Sequence, residues 1–441
     1  MAALPVLRAR YGARVHAPES AATLSPAAAL RLVGLGALVG IPAALVAAGF
    51  IAVVHELEVW LWHDLPERLD ATSPPWYLVL GIPVAGAIVV VAARALLPGD
   101  GGHEPLAGIG GGATPVRYAP GIALAAIGSL AFGAVLGPEA PLIALGSATA
   151  LAIGAGVRLG DRERAVVSTA GSFSAISALF GGPLVAAMLL LESGIGLGAA
   201  LIPALIPGLV AAAIGYLVFV GFGDWGGIDQ TALAVPGLPA YEGVHVGDLA
   251  LSIVVGVVAA LVIGVVWRFG AGVAGRGRGR LGMPALLLLG GLAVGALAVL
   301  ADALGADSQD VLFSGQQSVP ALVQEDSARI VLVLVAAKAL AYGVCLGCGF
   351  RGGPVFPAIF LGVGLAMLCV IAFDVSPTLA VAAGTAAGTV AATGLLFSAV
   401  LFASLLVGTS ATEVVPAAVL AAVAAWLTRA AISRAADRRV I

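Results

Sequence analysis

Ionisable residues are scarce along this chain, so the few that stand inside apolar runs carry the chemistry. Glu139 lies in Gly137-Pro138-Glu139-Ala140-Pro141, Glu192 closes the run Leu184 to Leu191, and Lys338, the sole lysine, sits in Val-Ala-Ala-Lys-Ala-Leu. A charge at membrane depth is costly and is retained chiefly for function or pairing. Around these residues are four turns rich in Gly and Pro: Gly101 to Pro105, Gly137 to Pro141, Gly315 to Pro320 and Gly352 to Pro357. Pro suits the first turn of a helix, and each turn is read as leading into an apolar helix. A helix N-terminus offers unpaired N–H groups and a positive dipole end, which makes it an anion site. A carboxylate placed there, as Glu139 is, occupies that site as a tethered competitor. Protonation releases it, so one side chain can gate and carry a proton. Glu192 reads either as a buried acid bonded to nearby backbone amides or as part of a proton pathway. Lys338 reads as snorkelling or paired, with a role in the pathway as the alternative.

The elements that must position these groups are membrane helices. The chain has 441 residues, 61% hydrophobic and 10% charged, against about 25% charged in soluble domains; mean hydropathy is +1.09. A soluble enzyme and a disordered chain are excluded, and a net charge of -3 leaves no basic footprint for nucleic acid. Unbroken apolar runs exclude a barrel, whose strands alternate. The expectation is an all-α polytopic membrane protein. Apolar segments fall near 29–54, 76–97, 119–136, 142–157, 165–180, 183–192, 199–222, 248–269, 283–304, 328–346, 355–373, 378–393, 395–409 and 414–432. Several are shorter than the ~20 residues that span a bilayer, which points to broken helices around a midplane site. Glycine, 61 of 441 residues, suits close helix packing. Cys345, Cys348 and Cys369 read as small apolar residues; no cofactor or metal is called for.

Arginines cluster at 158–164, 276–280 and 429–439. By the positive-inside rule these loops and both termini are cytoplasmic in a cell membrane. The segments divide into a tail (1–28), a first membrane repeat (29–222), a linker (223–247), a second repeat (248–432) and a tail (433–441). The repeat can be counted. Pro105 precedes Pro141 by 36 positions and Pro320 precedes Pro357 by 37; a Leu-Phe pair follows, with Phe180 lying 39 after Pro141 and Phe397 lying 40 after Pro357. The anchors recur at an offset near 216. Whether the halves are inverted depends on the number of crossings.

In ordered sequence these motifs resemble the CLC family of chloride channels and chloride/proton antiporters, over about residues 29–432. Gly137 to Pro141 is similar to the family's G(K/R)EGP motif, Gly352 to Pro357 to its GxFxP turn, Phe180 through Glu192 to its FxxPLxGxLFxxE segment, and Gly101 to Pro105 stands where GSGIP is expected. The resemblance implies a homodimer with a pore in each subunit, two inverted-topology halves with re-entrant helices meeting at a midplane anion site, and a gate at Glu139. It places Val355, Phe356, Gly102, His103 and Ala140 around the anion, with Glu192 and Ser193 on a candidate proton pathway. There are departures. Gly102 replaces the GSGIP serine, Pro138 the basic residue of the gate motif and Ala140 its second glycine; Pro354 brings no N–H. No tyrosine follows Pro416, and Ser193 stands where antiporters keep a second acid. A serine cannot carry a proton as a carboxylate does. The expected function is therefore glutamate-gated chloride transport, passive or loosely proton-coupled. A coupled chloride/proton or fluoride/proton antiporter is the alternative within the family, and a permease for an organic solute the alternative outside it. A membrane enzyme has no motif: the five histidines are scattered, with no His-Glu-x-x-His pair and no Gly-x-Ser-x-Gly elbow.

Overall fold

The computed structural model describes residues 26–157, 159–193, 201–221, 226, 234–241 and 243–437. Most of the expected N-terminal tail, much of the linker, and Arg158, Asp224, Asp229, Arg438 and Arg439 lie outside the described residues. Every apolar segment becomes a helix. The first half comprises α1 (Pro26–Val59), the short α2 (Leu65–Glu67), α3 (Trp76–Leu96), α4 (Ala119–Leu130), α5 (Glu139–Gly154), α6 (Asp161–Ser177), α7 (Pro183–Ser193) and α8 (Leu201–Val220). The second comprises α9 (Val246–Leu281), α10 (Met283–Ala303), the short α11 (Ser308–Val311) and α12 (Val319–Val323), α13 (Ala328–Cys348), α14 (Val355–Phe373), α15 (Pro377–Thr393), α16 (Leu396–Val407) and α17 (Ala411–Asp437). Among the described residues, seven helical stretches are long and apolar enough to cross a membrane. Others, such as α4 with 12 residues and α7 with 11, are too short to do so. Local chemistry sets the ends. Ser327 caps α13 through the Ile330 amide, Asp307 caps α11, and Gly349 and Gly394, both left-handed, stop α13 and α15.

The two halves repeat one packing pattern. In the first, α1 packs on α5, α6 and α8, α5 on α6, α6 on α7 and α8, and α3 on α4. In the second, α9 packs on α14, α15 and α17, α14 on α15, α15 on α16 and α17, and α10 on α13. The largest helix contacts between halves join equivalents to equivalents, α3 to α10 and α7 to α16, and Gly137 pairs with Gly353 in an antiparallel bridge. Such self-pairing is what a two-fold axis between oppositely oriented halves requires. Small residues permit it. At the α5–α6 crossing a Cβ on Gly146 would collide with the Gly171 carbonyl, and at α14–α15 one on Gly362 would collide with that of Gly384. The most buried spans are α13 and α14, while α1, α3, α9 and α10 present large apolar side chains outward.

Four expectations need correction. No apolar helix follows Pro105: a three-residue 3-10 turn, Pro105–Ala107, ends at Gly108, and Gly108, Gly110 and Gly112 all hold positive φ, which breaks helix propagation. After Pro320 the helix is only the five-residue α12. The arginines at 276–280 are not a loop; α9 continues through them to Gly282, whose φ of 74 ends it, since arginine is a good helix former and favours a helix C-terminus. The Leu-Phe anchors are not equivalent: Phe180 precedes α7, whereas Phe397 lies inside α16, because α7 and α16 start at residues 183 and 396, an offset of 213.

Candidate functional site

The bridge between halves is also where two helices begin. Gly137 N–H donates to the Gly353 carbonyl at 2.8 Å and Gly353 N–H returns to the Gly137 carbonyl at 2.6 Å. The next residues, Pro138 and Pro354, adopt nearly the same backbone, φ/ψ -82/-2 and -94/-3. Glu139 and Val355 then open α5 and α14. The 216-residue offset read from the prolines thus becomes a physical pairing of equivalent positions.

Glu139 is fully buried at this junction. Its Oε1 accepts the Val355 amide at 2.7 Å, from the start of the opposite half's helix. Its own amide and that of Phe356 are helix-start donors of α5 and α14. Oε2 has no hydrogen-bond partner, so the carboxyl is held on one side only. Glycine at 137 and 353 leaves room for the Glu139 carboxyl, which a Cβ on either would overlap and displace. Ala140, also buried, is the second residue of α5, so its amide is among the helix-start donors without an intrahelical acceptor.

Packing fixes the α14 donors. The Phe356 ring stacks on Phe180 with centroids 5.8 Å apart, and Phe402 meets both edge-on at 6.0 and 5.4 Å. Tyr342, fully buried on α13, donates its hydroxyl to the Pro354 carbonyl at 2.8 Å.

The first Gly-rich turn is arranged differently. Gly102 has φ +93, and a Cβ there would press on Ile122. His103 Nε2 lies 3.2 Å from the Gly108 carbonyl, so it carries the proton and leaves Nδ1 as an acceptor. Burial lowers the His103 pKa, partly offset by that carbonyl. No hydrogen bond joins either residue to Glu139. The turn instead wraps Arg351, which sequence reasoning missed. Its side chain is 3% exposed; Nε and Nη2 donate to the Asp100 carbonyl, Nη2 also to Asp100 Oδ2, and its amide donates to Ser129 Oγ. The signal was available: Arg351 stands directly before Gly352-Gly353 in an otherwise apolar stretch.

The remaining candidates are engaged elsewhere. Glu192 Oε1 accepts the amides of Leu396 and Phe397, and Oε2 the amide and hydroxyl of Ser398, at 2.6–2.8 Å, so it caps α16. The Ser193 hydroxyl donates to the Leu189 carbonyl of its own helix. Lys338 is buried and donates to the carbonyls of Asp310, Val311 and Leu312, with its ammonium 4.4 Å above the Phe360 ring. It ties α13 to the end of α11, the paired alternative. Among the described residues no cluster of three His, Cys, Asp or Glu could hold a metal.

Residues 103–429 match the sequence profile of the voltage gated chloride channel family. Similar proteins include the putative ion-transport protein YfeO of Escherichia fergusonii, 29% identical over 350 residues, covering 75% of this chain and 77% of that protein. YfeO of Escherichia coli strain SE11 is likewise 29% identical, over 351 residues, with the same coverage. Among solved structures, the fold is similar to that of a slow cyanobacterial Cl-/H+ antiporter, with TM-score 0.72, 17% identity, and 92% and 98% of the two chains covered. It is also similar to that of a CLC-type fluoride/proton antiporter, with TM-score 0.68, 18% identity, and 92% and 97% covered.

Proposed function

The chain belongs to the voltage gated chloride channel family of anion transporters, and from that premise we propose that it moves chloride through a path that Glu139 opens and closes. The observation that carries this reading is the 2.7 Å bond from the Val355 amide to Glu139 Oε1, made where the helices of both halves begin. A carboxylate bound to a helix start occupies the position an anion would take. When it is neutralised or swings away, the amides of Val355 and Phe356 face the path, with the Ala140 amide on the other half. Backbone amides hold a halide by partial charges, firmly enough to strip part of its water yet loosely enough to release it. Gly102 and His103 contribute less, since neither presents a hydroxyl and the turn at Pro105 offers no helix start.

Flow in this reading is passive or loosely proton-coupled. It is supported by the engagement of both residues on the candidate proton path: the Glu192 carboxylate caps α16, and Ser193 donates within its own helix. A second reading, tight proton antiport, draws on the solved fold neighbours, which are antiporters, and on the titratable Glu139. We further assign the arginine-bearing ends of α9 and α17, and both termini, to the cytoplasm, and expect a homodimer. The test is halide efflux from liposomes holding the purified chain. Chloride-selective efflux above protein-free vesicles is the expected result; fluoride-selective efflux would reassign the anion, and no efflux of either would overturn the proposal.

A further inference from the structure

Five charged residues meet at the first Gly-rich turn: Arg94, Arg278 and Arg351 against Asp100 and Glu104. Asp100 is spent. It takes Arg94 through both oxygens at 2.8 Å and accepts Arg351 Nη2 as well. Glu104 Oε1 pairs with Arg278 at 3.0 Å and lies 4.0 Å from Arg351 Nη1, beyond hydrogen-bond reach. Nη1 is therefore a buried donor without a hydrogen-bond partner. Three cations face two carboxylates, so the cluster keeps one net positive charge.

A buried guanidinium with an unused N–H pair is costly to leave unmet. The 3-10 turn Pro105–Ala107 packs against α9 and α13, and Glu104 and Arg278 are each more than one third exposed. The site thus opens to water on the arginine-bearing face. We propose that Arg351 Nη1 and Arg278 form a second anion site, for chloride or a similar monovalent halide, and that Glu104 is a tethered competitor on its Arg278 side. Arg351 lies two residues before Gly353 and four before Val355, whose amide holds Glu139. An anion held there is staged beside the junction of the two halves, and the Arg351 guanidinium supplies the donors that the turn lacks in hydroxyl and helix start. The role within transport rests on the anion-transport reading above; the binding site itself does not.

The experiment is anomalous diffraction from bromide-soaked crystals of the full chain, as wild type, Glu104→Gln and Arg351→Lys, with halide titration of each. Glu104→Gln removes the competing charge at a solvent-facing side chain, so it should fold normally, show bromide at hydrogen-bond distance from Nη1, and bind halide about tenfold more tightly there. Arg351→Lys, which keeps a cation but not the forked donors, should lose that bromide. Bromide at the Val355 amide but none at Nη1 in Glu104→Gln would overturn this inference and leave the transport reading standing. Bromide at Nη1 in a protein that passes no halide would do the reverse. Bromide at neither place would overturn this inference, and halide efflux from liposomes then decides the transport reading, because Glu139 still holds the Val355 amide in these crystals.

Discussion

Replacing Glu139 by Gln tests the tethered competitor. The substitution keeps the shape and removes the charge that competes with the anion for the Val355 amide. One hydrogen bond to an ionised group is worth about 1.5–3 kcal/mol net, and the 2.7 Å distance puts this one among the charge-assisted kind. The positive ends of α5 and α14 add to the carboxylate's hold, while the unmet, buried Oε2 subtracts from it. A glutamine carbonyl still accepts the Val355 amide as a neutral bond, so losing the charge-assisted excess of roughly 1–1.5 kcal/mol raises apparent halide affinity about 5- to 10-fold. Calorimetry with chloride on the solubilised protein reads this directly, and liposome efflux reads the consequence. In wild type, efflux should rise as the pH is lowered towards ordinary glutamate values of about 4.3, because the protonated carboxyl lets go. In Glu139→Gln, efflux should be high and flat across that range. Equal affinity in both proteins, with the same pH response, would refute the reasoning.

Other perturbations separate site from scaffold. Gly353→Ala sets a methyl against the Glu139 carboxyl; it should lower stability by about 1–3 kcal/mol and raise neutral-pH efflux as the carboxyl is driven off Val355. Glu192→Ala uncaps α16 and should cost ~1–2 kcal/mol, seen as a lower thermal midpoint with halide binding unchanged; altered binding would place Glu192 in the path. Lys338→Met leaves the carbonyls of Asp310, Val311 and Leu312 unmet and should cost ~1–3 kcal/mol, again with unchanged binding. Gly102→Ser should destabilise rather than tighten chloride binding, since φ +93 disfavours any side chain and Ile122 blocks the space; tighter calorimetric binding would contradict that.

The helices were legible because lipid forces unbroken apolar runs, and the repeat because prolines mark helix starts. The spacing from Pro141 to Pro357 is 216, and at that same spacing the structure pairs Gly137 with Gly353 and Glu139 with Val355. What the sequence hid was governed by contacts far apart in the chain. Arg351 looks like an isolated charge until Asp100 and Ser129 close around it from the other half. The turn at Pro105 mimics a helix start, but the glycines that follow hold positive φ. Glu192 shows as an acid at the end of an apolar run, and only the approach of α16 makes it a cap. Arginines at 276–280 suggest a loop by charge, whereas propensity carries the helix through them.

The most direct measurement of the central claim is proton movement driven by chloride. Liposomes holding the purified chain are given an outward chloride gradient, and proton uptake is followed against an opposing proton gradient, in wild type and Glu139→Gln. A glutamate-gated path without a working internal proton carrier predicts fast chloride efflux with little or no uphill proton uptake in either protein, and faster efflux in the variant. Proton uptake at a fixed ratio to chloride in wild type, abolished in Glu139→Gln, would contradict the passive reading and make this chain a coupled antiporter.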